Sequence, residues 1–69
     1  MSNEQIAEKL RDLSDNDFTG VMNRTSQERV IRIGLEVSTP EQQKSLARFG
    51  RTKEIVAMFT KKLLPADLL

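Results

Sequence analysis

Apolar positions along the chain recur at helical spacing, between short polar stretches that carry helix-start and helix-stop residues. Ile6, Leu10 and Leu13 form one stripe, Phe18, Val21 and Met22 a second, and Leu46 with Phe49 a short third. Ile55, Met58, Phe59 and Leu63 form the last and strongest stripe. Start signals precede these runs. Ser2 is followed three residues on by Gln5, Thr25 by Glu28 and Thr39 by Gln42. Each pair fits a capping box, where a hydroxyl and a later side chain reciprocally satisfy orphan N–H groups. Ser14 with Asp17 is a shorter-armed variant, and Pro40 suits a first helical position, where its missing N–H costs nothing. Gly50 and Pro65 are natural stops. Together these marks predict an all-α compact bundle of about five short helices: about 3–13, 15–23, 26–37, 40–49 and 51–64. The turns are tight, so residues 1–69 read as a single small helical domain.

Residues 29–37 dissent. Ile31, Ile33, Leu35 and Val37 alternate with Arg32, Gly34 and Glu36, the period of a half-buried strand. As a helix the same residues spread over a wide arc, and Gly34 costs about 1 kcal/mol relative to Ala. A central helix packed on several sides accepts such an arc. The helix is preferred because the Thr25 pair precedes it and no second strand is visible to pair with.

Composition narrows the chemistry. The 69 residues contain no Cys and no His, which removes disulfides, structural zinc, thiol chemistry and imidazole acid/base work. Carboxylates, lysines and hydroxyls remain, in a chain with little volume for an enclosed pocket, so a non-enzyme without cofactor or metal is expected. With three Phe, no Trp and no Tyr, the core must be aliphatic. A chain this short sits where dimerisation often completes burial, so a homodimer is expected. The N-terminus is acidic with no apolar leader, and no stretch reaches membrane-spanning length, which points to the cytoplasm and away from membranes. The net charge of +1 hides a polarity. Residues 1–20 carry two basic against five acidic residues, while residues 21–69 carry nine against five. That separation suits a basic face for DNA or for an acidic protein partner.

Two basic segments are candidates for that face. In a helix-turn-helix, a first helix packs across a second whose N-terminal residues enter the major groove. Phe18 and Met22 can serve as first-helix contacts, Asn23 can take a left-handed turn position, and Val30 and Ile33 can face inward. Ser26-Gln27-Glu28-Arg29-Val30-Ile31-Arg32-Ile33 resembles the recognition helices of helix-turn-helix regulators, including those of the promoter-reading region of sigma factors. It departs from that pattern in a turn one residue too long at Arg24 and in Asn23 where Gly is usual. The resemblance implies base contacts from Gln27 and Arg29, and phosphate contacts from Arg24, Arg32, Thr25 and Ser26. The plainer alternative is a helix start with a solvated basic face.

The second candidate is Lys44, Arg48, Arg51 and Lys53, in a run from 42 to 53 that no acid interrupts. This alternative basic patch brackets the Gly50 turn, where a following helix start adds attraction for anions. Leu46 to Lys53 also suggests a helix-turn-helix, but Ala47 lies one residue too near Gly50. If 29–37 were a strand, strand and two helices would give the order of a ribbon-helix-helix dimer, which Gly50-Arg51-Thr52-Lys53-Glu54-Ile55 also resembles. That arrangement would present Arg32, Gly34 and Glu36 to DNA and leave residues 1–28 unexplained. The leucine-rich end, Leu63 to Leu69, is expected to fold back on the core or to form a dimer contact. The expectation is a small non-catalytic regulatory protein that binds DNA through a helix-turn-helix-like segment. A small helical adaptor or inhibitor of another protein is the alternative.

Overall fold

Ser2 and Thr39 each start a helix in the way their neighbours predict. Ser2 Oγ accepts from Gln5 N–H at 3.2 Å while Gln5 Oε1 accepts from Ser2 N–H at 2.8 Å. Thr39 and Gln42 repeat the exchange at 3.2 and 2.9 Å. Ser14 makes only the first half, from Asp17 N–H, because the Asp arm is a methylene shorter. The computed structural model describes residues 1–67, with side chains through Leu63. Its elements are α1 Asn3–Arg11, α2 Asp15–Arg24, α3 Glu28–Val37, α4 Pro40–Phe49 and α5 Lys53–Asp67, with no strand among the described residues. The helix α5 continues past Pro65, the expected stop; the proline removes one ladder donor without ending the helix. None of these helices is long and apolar enough to cross a membrane.

Of three expectations around α3, the preferred helix holds and two others are corrected. The alternating run 29–37 is helical, so the ribbon-helix-helix arrangement is not formed. Its apolar residues divide among several neighbours: Ile33 is buried, while Val30, Ile31, Leu35 and Val37 are half-buried against the core. Here α3 packs chiefly on α1 and also touches α2 and α5, which gives a wide apolar arc somewhere to go. Second, Thr25 does not open α3. It closes α2, its N–H bonding Val21 O, and its hydroxyl accepts from Gln27 N–H at 3.2 Å. That local turn delays the helix to Glu28, with Gln27 as a cap that makes no side-chain bond. Third, Asn23 stays within α2, and no described residue has a left-handed backbone.

The core comprises Leu10, Phe18, Met22, Ile33, Leu46, Ile55 and Phe59, with Phe18, Met22 and Phe59 fully enclosed. Around it α4 packs extensively on α5, α1 packs on α3, and α2 packs against both α4 and α3. Gly34 is what lets α2 and α3 approach. A Cβ there would lie 2.7 Å from Met22 Cε and 3.5 Å from Phe18 Cζ. Gly50 has a related reason. Its φ of −59° suits any residue, but a Cβ would lie 2.6 Å from Leu46 O and 2.9 Å from Val56 Cγ2. Space, and not left-handed geometry, therefore explains the glycine at this turn. Gln42 is buried yet fully paired: besides its capping bond, its Nε2 donates to Asp15 Oδ1 at 2.9 Å, joining the start of α4 to the start of α2.

Phe49 corrects the core expectation. It is seven residues from Gln42, two helical turns, so its direction on α4 matches the buried stripe. It is nevertheless 76% exposed. Phe49 is the last residue of α4, with the turn to α5 following at Gly50, and among the described residues nothing covers the ring. The leucine-rich end read as a closing or docking segment lies outside the residues whose side chains are described, apart from Leu63, which is half-buried.

Candidate nucleic-acid interface

The arginines of α3 are engaged. Arg29, at its second position, donates from Nε to Asn3 Oδ1 at 2.6 Å and from its terminal nitrogen to Met1 O, which fastens the chain start to α3. Arg32 pairs with Glu28 one turn earlier at 2.6 Å, both side chains 71% exposed. Solvent screening makes that pair worth a few tenths of a kcal/mol. The groove between α1 and α3 is lined by Arg11, Arg29 and Arg32 and equally by Glu4, Glu28 and Glu36. Three cations and three carboxylates cancel, so this face offers a phosphate strand little net attraction.

A different grouping forms where the α2–α3 and α4–α5 turns meet. Asn23 Oδ1, near the end of α2, accepts from Arg51 N–H at 2.8 Å across 28 positions of sequence. That bond brings the two basic segments read from the sequence to one corner. Arg24, Thr25, Ser26, Arg51 and Thr52 line the groove there, over a floor that includes Met22, Ile31 and Ile55. Glu54 is the carboxylate on its rim. Thr52 Oγ1 accepts from Ile55 N–H at 3.2 Å and so caps α5, whose N-terminal end opens at the same place. Lys53 is the first residue of α5, and Arg48 lies in the last turn of α4, with Lys44 one turn before it. All four cations of this second segment are exposed, as is Arg24. Among the described residues none of these five makes an ion pair.

The sequence-predicted sites therefore regroup. Arg24, Thr25 and Ser26 join Arg51 and its neighbours; Arg29 and Arg32 belong to the α1–α3 side; exposed Gln27 sits between them at the start of α3. Sequence reasoning missed the Asn23–Arg51 tie, the Thr52 cap and the exposure of Phe49. Thr52 alone had a local signal, a hydroxyl two residues after a helix-stopping glycine. Among the described residues, no group of three or more carboxylates could hold a metal ion. Compared with known proteins, the chain matches no family model, no curated protein and no solved structure, so its surface must be read from its own residues.

Proposed function

We propose that this chain is a small non-catalytic regulatory protein that binds nucleic acid, DNA in the first instance, through the basic corner where the α2–α3 and α4–α5 turns meet. The observation that carries the proposal is the Asn23–Arg51 bond, which brings Arg24 and Arg51 to one groove, with exposed Arg48 and Lys53 close to Arg51 along the chain. Clustered, unpaired cations track a phosphate backbone, and the hydroxyls of Thr25, Ser26 and Thr52 add uncharged donors. In this role the last turn of α2 presents Arg24, and Gln27, exposed at the start of α3, adds a side chain able to pair with a base. Backbone contacts come from the turns and not from Arg29 or Arg32. A homodimer would double the small footprint of one copy.

The test is a comparison of two paired substitutions. Arg24→Ala with Arg51→Ala is expected to weaken DNA binding at least tenfold at low salt, whereas Arg29→Ala with Arg32→Ala changes it less than twofold. The reverse ranking would return the contact surface to α3. Binding of a protein surface is the second reading, favoured by the balanced charges of the α1–α3 groove. Such a groove suits a polar protein face better than a polyanion.

A further inference from the structure

We infer that the nucleic acid held at this corner is single-stranded, with Phe49 as a platform on which an unpaired base stacks; the inference rests on the function proposed above and narrows its ligand. Of the three phenylalanines, Phe18 and Phe59 are completely buried, whereas Phe49 stands 76% exposed at the tip of α4. It lies between Arg48 and Gly50-Arg51, with Lys53 following and no acid from 42 to 53. Gly50 contributes no side chain next to the ring. An aromatic face beside exposed guanidinium groups is the pairing that single-strand binders use: the cations hold the backbone and the ring takes a base of any identity. Bases inside a duplex are already stacked and leave Phe49 nothing to stack on.

Two features separate this occupant from a protein partner. A protein hot spot places its aromatic within a surround of near-neutral contacts that exclude water. Phe49 instead has exposed Arg48, Arg51 and Lys53 as its neighbours along the chain, and among the described residues Met1 is the other exposed large apolar side chain. No acid lies from 42 to 53, and of the charged residues lining the groove Arg24 and Arg51 outnumber Glu54, a balance that complements a phosphate strand. Phe49 also contributes little to the core, so its removal leaves the fold as a constant.

The experiment measures fluorescence anisotropy of a labelled thymidine oligomer and of a labelled duplex of equal length, at low salt, with the full chain. The oligomer is expected to bind more tightly than the duplex. Phe49→Ala should weaken oligomer binding by about 5- to 150-fold, the range for losing one base stack. Phe49→Trp should retain it, and Phe49→Leu, apolar but without a ring, should behave as the alanine variant. Far-UV circular dichroism and thermal melting should match the parent for all three. Equal oligomer affinity for Phe49→Ala, or full retention by Phe49→Leu, overturns stacking. Preferred duplex binding that is insensitive to Phe49 overturns the single-strand inference alone and leaves the basic corner as a DNA surface. Absence of binding to both probes at low salt overturns both this inference and the nucleic-acid function on which it rests.

Discussion

Two glycines inside helices should respond to alanine with opposite signs. Both Gly20 in α2 and Gly34 in α3 gain roughly 0.5–1 kcal/mol from the better helix propensity of Ala. At Gly20 nothing lies within 4 Å of the added Cβ, so the gain is expressed in full. At Gly34 the new methyl overlaps Met22, whose Cε would be 2.7 Å away, and Met22 is fully enclosed between Phe18 and its neighbours. Moving a packed core side chain costs about 1–3 kcal/mol. Subtracting the propensity gain leaves Gly34→Ala destabilised by about 0–2.5 kcal/mol, a drop of roughly 4–8 °C in Tm per kcal/mol for a domain of this size. Urea unfolding followed by circular dichroism measures both variants, with an unchanged m-value confirming that the unfolded state is common. A second comparison isolates the cause. Met22→Ala opens a cavity and costs about 2–5 kcal/mol in the parent, but should cost less beside Gly34→Ala, where it also removes the overlap. If Gly34→Ala is as stabilising as Gly20→Ala, the close approach of α2 to α3 is wrong.

Gln42→Leu should cost about 1–3 kcal/mol in the same urea assay although it adds no bulk, because Asp15 loses its partner and Thr39 N–H loses its acceptor; a neutral result would mean that the buried network is dispensable. Asn23→Ala should change stability by less than about 1 kcal/mol, since Arg51 N–H is exposed to water. The same variant should lower DNA affinity several-fold by letting the two basic turns separate. Unchanged affinity would show that the tie does not organise the corner.

Local signals made the fold legible, and long-range ones left the site obscure. The Ser2–Gln5 and Thr39–Gln42 boxes lie within one turn of chain, and both arms form. Thr25 and Glu28 have the same spacing, yet Thr25 bonds Gln27 N–H and ends α2, because a hydroxyl in a turn can close a local bend as readily as it caps a helix. The strand-like alternation of 29–37 competed with a helical period that the same residues carry: Glu28, Arg29, Arg32 and Glu36 fall on one exposed face of α3, and Val30, Ile33 and Val37 fall on the opposite, covered one. Phe49 shows the limit of periodicity. Spacing gives the angle of a side chain about its helix but not whether a neighbour exists at that level along the axis. The Asn23–Arg51 bond spans 28 residues, and no pattern within either segment signals it.

The most direct test of the basic corner is the salt dependence of DNA affinity. Binding should be measurable at about 50 mM salt and weaken linearly on a log–log scale, with a slope of roughly −0.7 per phosphate contacted on a single strand or −0.9 on a duplex. Arg24, Arg48, Arg51 and Lys53 set the expected slope at about −3, and Arg24→Ala with Arg51→Ala should make it shallower by about 1.4–1.8. No binding at low salt, or a slope that both substitutions leave unchanged, would contradict a nucleic-acid role for this corner.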